Sequence, residues 1–351
     1  MQAPPVPGEA IAGGPPPSSF GSGIKKRYVF AAGAGYGLLM RLAFGLPFFG
    51  SAETSNTASQ AMLWSFLCLV PPLVGALTVH FSGGRQRSVG YAIIAPWVSI
   101  LMFVGGAAVL LIEGSICIVM ALPLFLALGS VGGLAMWLVS RFYQPSASVL
   151  GSLLLLPLLA GSWERDQPLP QALQAADASI MIAASPEAVW KLINRAEDIR
   201  PAEMREGLAY RMGLPYPLSA RTIETAQGRV RKLSWEKGVR FDEPILDWQE
   251  NRFIRWSYSF PAGAIPPEAL DEHVLIGGKY FDLVDTSYRL TPVANGTQLD
   301  IHVTYRVSTH FNWYADAWGR VLVADAAGTI LRFYKRRAEA GAAGIAGVGA
   351  P

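Results

Sequence analysis

The segment from Tyr28 to Trp163 has very few charged residues. Apart from histidine, its acids and bases are Arg41, Glu53, Arg85, Arg87, Glu113 and Arg141. The apolar pieces between these residues are about 17–25 residues long, the length that a helix needs to cross the hydrocarbon core of a bilayer. A soluble core of this size would have to interleave polar faces with apolar ones, and this sequence does not. The N-terminal half is therefore predicted to be a membrane α-helical bundle.

Cysteine is also scarce, and the two that occur, Cys68 and Cys117, lie inside apolar segments, where thiols are usually small packing groups. The C-terminal half has no cysteine, which excludes a disulfide framework and a thiolate metal site there. No pair of His, Cys, Asp or Glu has the spacing typical of metal ligands. The sequence also lacks a P-loop, a nucleophile elbow and a strand-linked glycine fingerprint. It therefore predicts neither a metal nor a cofactor.

The apolar sequence divides into five predicted helices after a Pro- and Gly-rich stretch, 1–27, which is predicted to be a disordered tail. The predicted helices are 28–49, 61–81, 90–112, 115–140 and 147–163. The last of them is at the short limit of a spanning helix. Pairs of glycines four apart, Gly33 with Gly37 and Gly129 with Gly133, are typical of close helix packing.

The distribution of basic residues predicts how the bundle is oriented. With the N-terminus inside, the cluster at 25–27, Arg85, Arg87 and Arg141 all fall on the cytoplasmic side, as the positive-inside rule requires. Five crossings then place the C-terminal half outside the cytoplasm, in the periplasm of a bacterial inner-membrane protein. If the fifth segment lies only in the interface, the C-terminal half is cytoplasmic.

One charge falls inside a predicted span. Arg41 lies towards the outer end of the first helix, and an unpaired charge in hydrocarbon costs on the order of 3 kcal/mol or more. Glu113, in the outer hairpin between the third and fourth helices, is the nearest acid by depth. We therefore predict a structural pair of Arg41 with Glu113, with an ion-pathway role as the alternative.

The C-terminal half has the composition of a soluble domain, predicted at 177–338, with a linker at 164–176 and a disordered tail at 339–351. A strand at 179–184 precedes a helix for which Ser185 is the cap and Pro186 the first residue. Residues 208–308 are predicted to form strands, with a hairpin turn at Asn295-Gly296, and a long helix follows at 312–337. This order predicts an α+β helix-grip domain, an antiparallel sheet wrapped around a long C-terminal helix.

Several motifs of this half resemble a known superfamily. Residues 179–190, SIMIAASPEAVW, resemble the opening of the START-like, or SRPBCC, superfamily of polyketide cyclase and lipid-transfer-like domains. Residues 265–273, 276–282 and 309–314 look like those of a bacterial group that carries membrane spans before this domain. The resemblance covers about half of the chain. It implies a curved sheet that encloses an apolar cavity, in which some members bind lipids and others catalyse aldol cyclisation.

Three classes of function follow from this resemblance. The leading hypothesis is a hydrophobic ligand, a lipid or isoprenoid, bound beside the membrane, with membrane lipids as the other partners. The alternatives are an enzyme of cyclase or hydrolase type, and a structural or sensory protein that docks a partner. The net charge of +3 is small and scattered, which argues against nucleic acid. The sequence leaves the oligomeric state and the question of transport open.

Two residues are candidates for catalysis. His273 lies beside acidic residues, where it would exchange protons near neutral pH, or else it orders a loop by a hydrogen bond. Asp325 lies about 60° from the centre of the apolar face of the last helix, where it would act as a base, or else bind a loop backbone or an arginine. The residues predicted to contact a ligand are Trp235, His273, Tyr280, Tyr305, Trp318, Leu322 and Asp325.

Overall fold

The computed structural model describes residues 28–46, 62–83, 87–143 and 145–348. Its N-terminal half consists of helices. They are α1 (Val29–Phe44), a π-helical turn (Ser65–Leu69) that continues into α2 (Val70–Phe81), α3 (Val89–Val109), α4 (Ser115–Phe142) and α5 (Ala147–Glu164). These helices occupy the five segments proposed as spans. The predicted tail, 1–27, and the far end of the first span lie outside the described residues.

Two of these helices, α3 and α4, are long and apolar enough to cross a membrane, judged by length and composition alone. The shorter apolar helices are Val29–Phe44, Ser65–Phe81 and Ser148–Glu164. Core helices of soluble proteins can meet the same criteria, so a bundle that crosses a membrane several times stays a prediction.

Glycines bring α2 and α4 into close contact. A Cβ atom added to Gly75 would overlap the carbonyl oxygen of Gly129, and one added to Gly132 would overlap the carbonyl of Pro72. On α1, a Cβ atom at Gly33 or Gly37 would meet the side chains of neighbouring helices. The glycine pairs therefore serve helix packing, as the sequence predicts.

The carboxylate of Glu164 links α5 to the start of the π-helical turn that continues into α2. Glu164 ends α5, is buried, and accepts hydrogen bonds from the backbone N–H groups of Trp64 at 2.5 Å and Ser65 at 2.8 Å. These N–H groups begin a helix and have no partner within it, so the carboxylate caps that helix and complements its dipole.

The C-terminal half is an eight-stranded antiparallel sheet with a long helix, the helix-grip architecture that the sequence predicts. The strands are β1 (Gln171–Ile182), β2 (Arg195–Ala196), β3 (Pro217–Thr225), β4 (Gly228–Trp235), β5 (Arg240–Gln249), β6 (Phe253–Ser257), β7 (Phe281–Val293) and β8 (Gly296–Ser308). The helices are α6 (Pro186–Asn194), the short α7 (Pro201–Met204) and α8 (Leu208–Met212), and α9 (Asn312–Val348). The order in the sheet is β1-β8-β7-β6-β5-β4-β3-β2, so only β1 departs from chain order.

Several boundaries in this half differ from the prediction. Residues 208–212, predicted to begin the strands, form helix α8. Strand β1 begins at Gln171, inside the segment assigned to the linker, because residues 171–178 pair with the end of β8. Helix α9 continues to Val348, past the residue at which a disordered tail was expected to begin.

The core of the domain lies between the sheet and α9. Leu331 and Phe333 of α9 are buried against strand residues such as Ile254 and Leu299. The register between β7 and β8 pairs Val293 with Gly296, which confirms the hairpin turn predicted at Asn295-Gly296. Burial of this apolar face, at roughly 25 cal/mol per Å², is what fixes the helix in the curve of the sheet.

Candidate functional site

A cavity of about 320 Å³ lies where the C-terminal domain meets the helical half. The domain contributes strand residues such as Trp235 and Leu283, together with one face of α9. The helices contribute Phe66, Phe103 and Phe125. The wall is therefore mostly apolar and is built from both halves of the chain, a composition typical of sites for small hydrophobic molecules.

Four of the residues predicted to contact a ligand line this cavity. They are Trp235, His273, Tyr280 and Leu322. Trp235 ends β4, His273 lies in the short 3-10 turn Glu272–Val274, Tyr280 precedes β7, and Leu322 lies on α9. The apolar stripe of α9 explains the position of Leu322, since residues of that stripe must face the sheet.

The other three predicted residues, Tyr305, Trp318 and Asp325, are not part of the lining of this cavity. Tyr305 is fully buried and packs with Ala176 and Val307, while its hydroxyl lies 3.4 Å from an Asp316 oxygen. Trp318 packs against a cluster formed by Ile116, Met212 and Leu270. Tyr305 and Trp318 nevertheless belong to apolar clusters that include lining residues, Val307 and Leu322 among them.

Asp325 stabilises the fold through a hydrogen bond to the backbone. Its Oδ2 accepts a hydrogen bond of 2.9 Å from the backbone N–H of Ala209, in the first turn of α8. This is the alternative that the sequence left open, a carboxylate at the edge of the apolar stripe bonded to a backbone. A carboxylate used in this way orders the segment that covers the cavity, and it is not placed to act as a base there.

The interior of the domain holds a buried ion pair on the cavity wall. Arg231 of β4 and Glu243 of β5 face each other in the register of the two strands, and Nη1 of Arg231 donates to Glu243 Oε2 at 2.5 Å. Arg231 also donates to the Ile193 carbonyl at 3.2 Å and to the Tyr334 hydroxyl at 3.1 Å. Both charges line the cavity, so its apolar wall has one strongly polar spot.

Aromatic rings surround this pair. The guanidinium of Arg231 lies 5.1 Å from the centre of the Trp256 ring, which stabilises the cation. Burial raises the pKa of the Tyr258 and Tyr288 hydroxyls well above the ordinary value. These hydroxyls are therefore neutral at every physiological pH and act as hydrogen-bond donors and acceptors, not as charged groups.

Further polar atoms on the wall are buried without a hydrogen-bond partner among the residues that the structure describes. They include the hydroxyl of Tyr210 and the indole Nε1 of Trp235. The indole N–H is a donor only, and leaving such a group unsatisfied costs about 1–3 kcal/mol. The cavity is thus suited to a molecule that brings a hydrogen-bond acceptor into an otherwise apolar space.

Hydrogen bonds join the two halves of the chain beside the cavity. The Ser115 hydroxyl donates to the Met212 carbonyl at 2.7 Å, and the Tyr314 hydroxyl donates to the Met120 carbonyl at 2.5 Å. The N–H of Gly114 donates to Oδ2 of Asp271 at 2.8 Å. The hairpin between α3 and α4 therefore fits against the segment that contains His273.

The predicted pair of Arg41 and Glu113 is confirmed. Nε of Arg41 donates to Oε1 of Glu113, and both side chains are largely buried. Oε2 of Glu113 lies 3.6 Å from Nδ1 of His273, and that nitrogen lies 2.8 Å from Oδ1 of Asp271. Burial works to raise the pKa of Asp271, but the hydrogen bonds and charge of His273 outweigh it and hold this pKa below its usual range.

Nothing in the sequence pattern singles out Arg231 and Glu243 as a buried pair. Arg229 lies two residues away on the same face of β4 and is exposed, so alternation along the strand does not indicate that Arg231 is the buried one. Alternation along a strand indicates that one face is inside, but it does not say that a charge there has a partner on the next strand.

Comparison with known proteins assigns no activity to this chain. Neither a family profile nor a curated protein sequence matches the chain. Among solved structures, a protein of Deinococcus radiodurans is similar with a TM-score of 0.27 and 14% identity, over 48% of this chain and 98% of its own. A protein of Thermus thermophilus has a TM-score of 0.30 and 18% identity, over 48% of this chain and 99% of its own.

A third similar structure is the di-domain ARO/CYC BexL from the BE-7585A biosynthetic pathway. Its TM-score is 0.31 with 15% identity, over 61% of this chain and 63% of its own. Likeness at this level assigns neither a family nor an activity. The function of the chain has to follow from the site itself.

Proposed function

We propose that this chain is a multi-pass membrane protein whose helix-grip domain binds a hydrophobic small molecule, of lipid or isoprenoid type, at the membrane surface. The observation that carries the proposal is the shared wall of the cavity, to which residues of α1, α3 and α4 contribute beside those of the sheet and α9. A ligand of low solubility would then pass between bilayer and cavity without crossing bulk water.

The outer surface of the helices supports the membrane part of the proposal. Large apolar side chains are exposed there, including Leu39, Ile94, Leu101, Leu138, Leu155 and Leu159. Soluble monomeric proteins rarely expose contiguous apolar patches of more than a few hundred Å², because water penalises such surfaces. Lipid tails impose no such penalty on apolar surface, so these exposed side chains fit a hydrocarbon environment.

The polar atoms of the wall narrow the class of ligand. The unpartnered groups of Tyr210 and Trp235 both can donate a hydrogen bond, and Arg231 adds a buried positive charge balanced by Glu243. A purely hydrocarbon molecule would leave the two donors unsatisfied. We therefore expect an amphiphile, with a long apolar body and a carbonyl, hydroxyl or similar acceptor.

Adjacent positions on α9 provide a matched test of binding. Leu322 lines the cavity, whereas Val321 is exposed. Leu322→Trp is expected to reduce the amount of co-purifying apolar molecule several-fold because the larger ring takes up cavity volume, and Val321→Trp is expected to leave it unchanged. Native mass spectrometry of the gently extracted full chain, with the released molecules identified, measures the occupancy. Equal occupancy in the two variants, or an empty wild-type protein, would contradict the proposal.

The orientation of the bundle is tested separately. The charge asymmetry predicts an N-terminus in the cytoplasm and five crossings, with the domain in the periplasm. A reporter active only in the periplasm is expected to be active when fused after Glu339 and silent when fused near Gly83. A silent reporter at Glu339 would instead place the domain in the cytoplasm and remove α5 from the set of crossings.

A further inference from the structure

Four side chains with metal-binding atoms converge at the junction between the two halves. Glu113 and Cys117 come from the hairpin and first turn of α4, and Asp271 and His273 come from the segment before β7. One ligand atom from each lies within 4.8 Å of all the others. Nδ1 of His273 is 2.8 Å from Asp271 Oδ1, 3.6 Å from Glu113 Oε2 and 3.7 Å from Cys117 Sγ.

Each carboxylate is held by a donor on its far oxygen. The N–H of Gly114 binds Oδ2 of Asp271, and Nε of Arg41 binds Oε1 of Glu113. The remaining oxygens, Oδ1 and Oε2, are the two that face His273. Orientation of ligand carboxylates by hydrogen bonds of this kind is a regular feature of protein metal sites.

The arrangement does not suit a catalytic triad. In a triad the nucleophile and the carboxylate bind opposite nitrogens of the imidazole, so that the ring can pass a proton between them. Here the thiol and both carboxylates surround the same nitrogen, Nδ1. A single proton on Nδ1 can serve one of these three acceptors, whereas a divalent cation would bind all of them and the nitrogen together.

We propose that Glu113, Cys117, Asp271 and His273 bind one Zn²⁺ ion that joins the helical half to the helix-grip domain. Tetrahedral zinc with bonds of about 2.0–2.3 Å requires its ligand atoms to be roughly 3.3–3.8 Å apart. The distances from Nδ1 to Oε2 and Sγ fall in that range, and the distance to Oδ1 is shorter. Thiolate and imidazole select zinc over magnesium and calcium, which prefer oxygen ligands.

The charges of the site favour the ion. A thiolate at Cys117 with the carboxylates of Glu113 and Asp271 brings negative charge into a region where His273 and Arg41 are almost fully buried. Zn²⁺ together with the guanidinium of Arg41 neutralises these three anions. Four protein ligands fill a tetrahedral shell, so the ion is structural and leaves no position for a substrate or water.

The test uses the full chain, purified without a histidine tag. We expect about one zinc per chain by elemental mass spectrometry, the stoichiometry of a closed four-ligand site. Cys117→Ser and His273→Ala are expected to lose the ion, and Cys68→Ser is the matched control, because Cys68 is the other cysteine and is not part of the cluster. Cobalt substitution is expected to give the spectrum of a tetrahedral thiolate complex in wild type and Cys68→Ser, and to lose its thiolate band in Cys117→Ser.

The outcomes separate this site from the binding of a hydrophobic molecule. A wild-type protein that holds no zinc and gives no cobalt–thiolate band overturns the metal site, whatever apolar molecule co-purifies with it. Loss of zinc in Cys68→Ser equal to that in Cys117→Ser also overturns it, since the ion would then lie elsewhere. Zinc that stays bound in Cys117→Ser and His273→Ala overturns the metal site as well, because these residues would then not be its ligands.

Discussion

Replacing Glu243 by leucine is expected to lower the free energy of unfolding by about 3–5 kcal/mol, the cost of breaking a buried ion pair from one side. The change leaves the guanidinium of Arg231 buried without its carboxylate, and only the Ile193 carbonyl and the Tyr334 hydroxyl remain as hydrogen-bond acceptors for it among the described residues. Denaturant unfolding of the full chain in a single detergent, followed by tryptophan fluorescence, measures the difference.

The neighbouring pair in the same two strands is the matched control. Lys232 and Asp242 face each other in the register of β4 and β5, at 2.5 Å, but on the exposed face of the sheet. Asp242→Leu is expected to cost less than about 1 kcal/mol, because water screens exposed pairs. An effect of Asp242→Leu as large as that of Glu243→Leu would contradict the explanation by burial.

A double change separates the loss of the pair from the loss of packing. Arg231→Met with Glu243→Leu removes both charges and keeps apolar volume, and such replacements of buried pairs are often neutral or stabilising. We therefore expect the double variant to be more stable than Glu243→Leu alone. If it is no more stable, the single change acts through the shape of leucine and not through the uncompensated charge.

The elements of the fold could be predicted because their signals are local. The apolar helices follow from the gaps between charges. The start of α6 follows from Ser185, whose hydroxyl accepts a hydrogen bond from the N–H of Ala188, as a helix cap does. The hairpin of β7 and β8 follows from Asn295-Gly296. The start of β1 could not be predicted in this way, since residues 171–178 are ordered by pairing with β8, more than a hundred residues later in the chain.

The site could be predicted only in part, because its chemistry depends on contacts between distant residues. Cys117 and His273 are 156 residues apart, and Cys117 lies in an apolar segment where a thiol is normally a packing group. No spacing rule therefore connects them. The helical wheel did place Asp325 correctly at the edge of the apolar face, but the wheel cannot say that the N–H of Ala209 reaches it.

The helical half has a buried charge of its own. Arg41→Leu is expected to lower the stability of the protein by about 3 kcal/mol, because it leaves Glu113 largely buried without the guanidinium that neutralises it. Thermal unfolding of the full chain in one detergent, with a chelator present so that metal binding does not contribute, measures the loss.

Combination with a second change shows whether this loss comes from the pair. Arg41→Leu with Glu113→Gln removes both charges and is expected to recover part of the stability, since a neutral amide tolerates burial better than an unpaired carboxylate. Arg141→Leu is the control, because Arg141 is exposed at the end of α4 and lies over the Trp137 ring with no buried acid beside it among the described residues. Two single effects that simply add in the double variant would show that Arg41 and Glu113 do not stabilise each other.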